Sequence, residues 1–361
     1  MGTREQVESL KATAGNDKCA DCGATDPSWV VMPHGIFVCI KCAGCHRSLG
    51  THVSQARSIE LDTWTHGDLE TLTKYGNENN NKVLEARVPS LIVRGTPTMN
   101  QRLREAWVRH KYEYRCFAED GDHDKLKTDG KMRGFIDKRE KNAGRWNRRL
   151  CVLEPKTIGG SDYTLRYFLD QLDTKPAKGE IKLQDATLHM EGNEESLEFA
   201  ITCRDRTYFL RADAADDLYR WVNAWRFARA RSLGWDGTEE HREMLIQCKQ
   251  LLDAPQTQGF LEKTGSSMKG FKKRFFLLQE RYLTYKKDPA DSLALGFMKL
   301  GTHQDGYNID RQSDTLLHLV TPKRTYPLKG SKEALDMWAA AFENAITQLP
   351  LLGQRVDVYN A

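Results

Sequence analysis

Residues 130–231 of this chain recur, with changes, as residues 256–349, so one small fold must serve twice. The first copy reads Gly134-Phe135-Ile136-Asp137-Lys138, then Trp146-Asn147-Arg148-Arg149-Leu150-Cys151-Val152-Leu153. The second reads Gly259-Phe260-Leu261-Glu262-Lys263, then Phe271-Lys272-Lys273-Arg274-Phe275-Phe276-Leu277-Leu278, at a constant offset of 125. Leu165-Arg166-Tyr167-Phe168 answers to Leu283-Thr284-Tyr285-Lys286 at 118, and Trp221 to Trp338 at 117. The fall in offset after Arg149 predicts a longer turn in the first copy, where Glu154-Pro155 and Gly159-Gly160-Ser161-Asp162 supply turn residues. Short alternating apolar runs predict strands in both copies. Leu218, Trp221, Val222 and Trp225, and likewise Leu335, Trp338, Phe342 and Ile346, recur every three or four residues. Each set predicts an amphipathic helix closing its copy.

Ahead of the repeat, five of the nine cysteines crowd into residues 19–45. Cys19-x2-Cys22 and Cys39-x2-Cys42 offer two thiolates each, the donor set of one closed tetrahedral Zn²⁺ site. Such a site has no open position for substrate, so it predicts a structural staple and not a catalyst. Cys45 is a fifth thiol with His34, His46 and His52 nearby, and is read as a small buried or half-buried side chain. Thr65-His66-Gly67-Asp68 has the form of a capping box, with Leu69, Leu72 and Tyr75 on one helical face and Gly76 as a left-handed terminus. A longer helix is predicted over Met99–Phe117, and the polar, acidic stretch 118–130 is read as a linker.

At 361 residues, 39% hydrophobic and 29% charged, the chain has the composition of two or three folded domains. A net charge of +4 says little about partners. No apolar run approaches a membrane span, the first residues lack a secretory or myristoylation pattern, and the last lack a prenylatable cysteine. Membrane contact is therefore expected from a folded surface. Basic residues are scattered over positions 1–80, which argues against a nucleic-acid partner.

The run from Cys39 to Gly50 joins the second cysteine pair to a short helix, on which Arg47 taken alone reads as a solvated surface arginine. The pattern Cys-x2-Cys-x16-Cys-x2-Cys-x4-Arg, met by Cys19, Cys22, Cys39, Cys42 and Arg47, resembles the Arf GTPase-activating proteins. Trp29 before Gly35-Ile36-Phe37-Val38, Leu49-Gly50-Thr51-His52-Val53-Ser54, Arg57 through Trp64, and Gly76-Asn77 extend the match over residues 5–120. The resemblance implies that Arg47 is an arginine finger. GTP hydrolysis spreads negative charge over the γ-phosphoryl oxygens, which a planar guanidinium neutralises bidentately and a lysine does not. It also implies that Trp29 packs beside the finger and that Asp62 touches the Arf surface. A plain core aromatic and a local loop hydrogen bond are the respective alternatives. Ala43-Gly44-Cys45 and Val30-Val31-Met32-Pro33 depart from the family's usual residues.

The repeats resemble pleckstrin homology (PH) domains, and the whole order is similar to the Arf GAPs with dual PH domains, the α-centaurins. Residues 131–149 and 259–274 are rich in Lys and Arg. Lys138 and Arg149, like Lys263 and Arg274, lie eleven apart, so strand, turn and antiparallel strand return each pair to one mouth. The PH resemblance adds Lys272, and it adds Tyr167 and Tyr285 as phosphate-contacting tyrosines of the third strand. The second copy fits better, since the first has Asn147 for the usual Lys and Cys151 for the aromatic. The fold expected is α+β and multidomain: a mainly helical ArfGAP zinc domain at 1–125, PH-type β-barrels at 130–232 and 256–350, each closed by a C-terminal helix, and a linker at 233–255 with a helix near Glu239–Leu252. The function expected is that of a monomeric GTPase activator, not itself an enzyme. It would act on the GTP form of an Arf GTPase, be cytoplasmic, and be recruited peripherally to the plasma membrane. Phosphatidylinositol trisphosphate or bisphosphate, or inositol phosphates, would be the PH ligands. The alternative is a phosphoinositide or inositol-phosphate adaptor with little GAP activity.

Overall fold

The computed structural model describes residues 2–140, 144–169, 175–238, 240–253, 256–264 and 270–347. The basic residues Lys141 and Lys269 lie outside them. The N-terminal part alternates short helices with a small sheet. Its elements are α1 (Thr3–Lys11), β1 (Trp29–Met32), β2 (Ile36–Val38), α2 (Ile40–Ser48), β3 (Gln55–Ser58), α3 (His66–Lys74), α4 (Gly76–Leu84) and α5 (Gln101–Tyr112). The strands pair antiparallel in the order β2-β1-β3.

One face of that sheet packs on α1 and α3 through Val7, Val30, Phe37, Ile59, Trp64, Leu69 and Leu72. Each such side chain contributes about 1.5–3 kcal/mol on leaving water. The predicted capping box starts α3: Asp68 N donates to Thr65 Oγ1 (3.2 Å) and Thr65 N to Asp68 Oδ2 (2.8 Å). Gly76, at φ +65°, ends α3 as expected and turns the chain directly into α4, a helix the sequence reading left out. Buried Asn77 then ties α4 to the sheet and the first cysteine pair. Its Oδ1 accepts from Phe37 N (2.7 Å), while its Nδ2 donates to Lys18 O (2.7 Å) and Phe37 O (3.2 Å). The helix expected over Met99–Phe117 is shorter. The Asn100 side chain caps it by accepting from Arg102 N and Leu103 N, and Arg115 at φ +53° lies beyond its end.

The first repeat holds β4 (Met132–Arg139), β5 (Trp146–Pro155), β6 (Tyr163–Phe168), β7 (Gly179–Lys182), β8 (Ala186–Met190), β9 (Glu198–Cys203), β10 (Arg206–Arg211) and α6 (Ala215–Ser232). After α7 (Arg242–Leu252) in the connecting segment, the second holds β11 (Thr257–Thr264), β12 (Phe271–Gln279), β13 (Tyr282–Lys286), β14 (Gly296–Lys299), β15 (Asn308–Ser313), β16 (Leu316–Val320), β17 (Thr325–Lys329) and α8 (Lys332–Thr347). The strand orders, β7-β6-β5-β4-β10-β9-β8 and β14-β13-β12-β11-β17-β16-β15, are the same topology twice. The apolar stripes of α6 and α8 are buried; in the second copy Trp338 and Phe342 meet Phe276 and Leu328 at the centre of the core. The β5–β6 turn is longer than its two-residue counterpart between β12 and β13, as the falling offset predicts.

By contact density the chain forms two units. One comprises Met1–Lys131, Met190–Glu198 and Arg211–Phe227; the other comprises the rest of the first repeat and the second. Inside the first unit, the front of α6 reads backbone groups of the 91–93 turn. Asn223 Oδ1 accepts from Val93 N (2.8 Å), Tyr219 OH donates to Val93 O (2.8 Å), and Arg226 Nε donates to Leu91 O (2.7 Å). The β8–β9 loop is fastened to α2 and α5 by Lys41–Glu194 (2.6 Å) and by Gln101 N donating to Glu194 O (2.6 Å). Inside the second unit, a buried ion pair, Arg229 with Glu280 (3.0 Å), joins α6 to the β12–β13 turn.

Candidate functional site

The four cysteines come together. Cys19 and Cys22 stand on a tight turn, Cys19 N donating to Ala24 O and Gly23 N to Cys19 O. Cys39 is the N-cap of α2 and Cys42 lies in its first turn. All four Sγ atoms fall within 4.8 Å of one another. A tetrahedral ion with bonds of about 2.3 Å spaces its sulfurs ~3.8 Å apart, so the cluster fits a bound metal ion. Buried Arg104, from α5, donates to Cys42 Sγ (3.4 Å), a cation set against the thiolates that sequence reasoning missed.

Arg47 lies near the other end of α2, exposed, with its guanidinium 4.3 Å from the centroid of the half-buried Trp29 ring on β1. Trp29 is half-buried on β1, and the exposed part of its ring lies against the Arg47 guanidinium as a cation–π contact. The residue before it, His46, is fully buried and bonds Asp21 Oδ2 (3.0 Å) through Nε2. Asp21, between the first two cysteines, also accepts from Lys111 Nζ (3.2 Å) and Tyr112 OH (2.7 Å). Burial works against its charge, but Lys111 and His46 hold the carboxyl well below the usual range. Lys111 is likewise buried and kept charged by Asp21 and Glu85, the latter at 2.7 Å. The helix that presents Arg47 is thus pinned at its start by cysteines and near its end by a buried ionic network.

Of the residues that depart from the family pattern, Val30, Val31, Ala43 and Cys45 are buried while Pro33 and Gly44 are exposed, and Cys45 Sγ accepts from Gln101 Nε2 (3.2 Å). Asp62 makes the loop bond that was its alternative reading, its Oδ2 accepting from Ser58 N (2.6 Å).

In each repeat the pleat sets where the predicted basic residues stand. Ile136 and Leu261 face the core; two residues on, Lys138 and Lys263 lie on the same sheet face, Lys138 half-buried and Lys263 buried. Register puts Arg149 opposite Ile136 and Arg274 opposite Leu261, so each predicted pair shares one face as diagonal neighbours. Lys272 stands opposite Lys263. Lys138 Nζ lies over Tyr167 (4.8 Å) and Tyr208 (5.6 Å), and Lys263 Nζ over Tyr285 (4.5 Å). Burial, then Arg206, Arg149 and Lys178, push Lys138 down to about 8; burial, Arg324 and Arg274 lower Lys263. Arg206 and Arg324 were missed at sequence level. Arg206-Thr207-Tyr208 and Arg324-Thr325-Tyr326 repeat at the same offset, 118, as Tyr167 and Tyr285, which is the signal that finds them. Both guanidiniums cover their tyrosines, at 4.5 and 4.1 Å.

Comparison with known proteins gives two family matches: the ArfGap family, GTPase activating proteins for Arf, over residues 4–121, and the PH domain over residues 130–228. The Arf-GAP with dual PH domain-containing protein 2 of Mus musculus is 35% identical, covering 98% of this chain and 97% of its own length. Its namesake from Homo sapiens is 32% identical, covering 97% and 96%. The ADP-ribosylation factor GTPase-activating protein AGD12 of Arabidopsis thaliana is 36% identical over 32% of this chain and 35% of its own. With an exposed arginine on a cysteine-pinned helix, a repeated PH topology and end-to-end similarity to these relatives, the chain belongs to the Arf-GAPs with dual PH domains.

Proposed function

We propose that the protein activates GTP hydrolysis by an Arf-type GTPase in its GTP form, supplying Arg47 in trans while the GTPase carries out the hydrolysis. The observation that carries this reading is the posture of Arg47: exposed, and laid on Trp29 at 4.3 Å. Among the described residues no carboxylate is paired with it. Docking would lift a guanidinium from an aromatic face onto γ-phosphoryl oxygens, with little reorganisation of the helix beneath. Zinc is the ion assigned to Cys19, Cys22, Cys39 and Cys42. Four thiolates around a divalent ion leave about two negative charges, which Arg104 offsets in part. Its chemistry there is structural.

The two basic mouths are assigned to the phosphates of phosphatidylinositol bisphosphate or trisphosphate headgroups, or of free inositol phosphates. Lys138, Arg149 and Tyr167 serve in one, and Lys263, Lys272, Arg274 and Tyr285 in the other. Among the described residues no helix is long and apolar enough to cross a membrane. Attachment, at the plasma membrane, is then peripheral and bivalent, which raises avidity without a new contact. Asp62, holding its own loop, keeps its second carboxylate oxygen for the Arf surface. The test is single-turnover GTP hydrolysis by Arf on phosphoinositide vesicles, comparing the wild type with Arg47→Ala.

A further inference from the structure

The start of β10 carries Arg206, and it is held by the other repeat. Thr207 N donates to Ser292 O (2.8 Å) and Ala294 N to Asp205 O (2.7 Å), with Arg206 bridged antiparallel to Leu293 between them. Two bonds flanking one residue pair are the ladder of an antiparallel sheet, and they fix the backbone of Arg206. The same segment reaches the other side of the mouth: Arg139, next to Lys138 at the end of β4, donates from Nη2 to Ala290 O (2.9 Å). Arg139 also lies over Phe209, 3.6 Å from its centroid. Residues 290–294 of the second repeat therefore hold both strands from which the first site's cations project.

The second copy supplies an internal contrast. There Arg324 closes a turn of its own, with Thr321 N donating to Arg324 O (3.1 Å) and Arg324 N to Thr321 Oγ1 (3.2 Å). The two anion sites carry the same Arg-Thr-Tyr signature but are braced differently.

We propose that residues 290–294 of the second repeat are positioning residues for the first repeat's anion site, holding Arg206 and Lys138 so that an inositol polyphosphate group binds at full strength only while the repeats are docked. The inference rests on the headgroup assignment made above. The ligand chemistry is a cluster of phosphomonoesters on a ring, presented by a lipid or free in solution. Preorganised cations bind it more tightly because their rotamers are already ordered. By reciprocity, phosphate bound in the first site tightens the second repeat's grip.

The experiment uses the full chain with Lys263→Ala and Arg274→Ala, which silence the second site. Inositol 1,3,4,5-tetrakisphosphate is titrated calorimetrically, and vesicles with and without phosphatidylinositol trisphosphate form a parallel arm separating lipid from free ligand. Arg206→Ala is expected to weaken tetrakisphosphate binding roughly 10-fold or more, as loss of charge-assisted hydrogen bonds does. Ala294→Pro, which removes the donor to Asp205 O, is expected to weaken it about three- to tenfold. In the chain without Ala294→Pro, the ligand should slow amide exchange at Ala294, a residue of the repeat whose own site is silenced. Unchanged affinity in a folded Ala294→Pro protein overturns the proposal, and should that variant not fold, unchanged exchange at Ala294 overturns it. If the silenced chain binds no tetrakisphosphate, the headgroup assignment itself fails and the inference with it. Binding that depends on Lys138 but ignores Ala294→Pro leaves the assignment standing and removes only the positioning role.

Discussion

The affinity of the first headgroup site should fall as pH rises from 7 to 9. Lys138 sits half-buried between Tyr167 and Tyr208, and burial with three neighbouring cations brings it from the ordinary 10.5 to about 8. A group with that pKa is ~90% charged at pH 7 and ~10% charged at pH 9. If only the ammonium form receives phosphate, affinity drops by roughly 10-fold across the window. Stability moves the other way. Because the folded pKa is depressed, the cost of burying the charge is present below 8 and is relieved as pH climbs toward the unfolded value, so the folded state gains. Falling affinity with rising stability therefore separates lost charge from unfolding. The assay is titration of inositol tetrakisphosphate into the chain carrying Lys263→Ala and Arg274→Ala at pH 7, 8 and 9, beside the same chain with Lys138→Arg. The guanidinium stays charged throughout, while the ligand's own ionisation affects both proteins alike. The ratio of their affinities is expected to change by most of that factor; a ratio constant from pH 7 to 9 would refute the reasoning.

Lys111→Met strands the buried carboxylate of Asp21 and should cost about 3–5 kcal/mol, read from the urea midpoint of the N-terminal transition; a cost below 1 kcal/mol would contradict the network described. Stripping the metal with a chelator should abolish GAP activity and unfold the cysteine-bearing segment, seen as lost amide protection in α2, while tetrakisphosphate binding by the second repeat persists. Trp29→Ala removes the surface that orders Arg47 before docking and should slow GTP hydrolysis about three- to tenfold in single turnover through looser aim of the guanidinium.

What could be read from the sequence was local or periodic. The spacing of Cys19, Cys22, Cys39 and Cys42 carried the metal cluster, because two short loops and a helix start suffice to bring them together. The constant offset carried the duplicated topology, and the eleven-residue spacing of Lys138 and Arg149 carried a shared sheet face, since strand pleat and hairpin register fix it. What was not legible depends on pairs far apart in the chain. Nothing local distinguishes Lys111 from a surface lysine, yet it is buried against Asp21, and Arg104 likewise reaches Cys42 from a distant helix. Arg206 was legible but overlooked: its triplet repeats at a known offset, while its bracing by Ser292 and Ala294 is a tertiary pairing that no repeat announces. Arg47 is singled out in the sequence only by resemblance, and its contact with Trp29 on β1 is a tertiary feature that no spacing encodes.

The central claim, that Arg47 completes the active site of a bound GTPase, is tested most directly by single-turnover hydrolysis of GTP on Arf held to phosphatidylinositol trisphosphate vesicles. Wild-type protein and Arg47→Ala are compared at equal vesicle occupancy and with metal content verified. A finger supplied in trans predicts a loss of roughly 10³-fold or more for the variant, with vesicle binding retained. Equal, slow hydrolysis by both proteins while both remain on the vesicles would contradict the account and leave a lipid-directed adaptor.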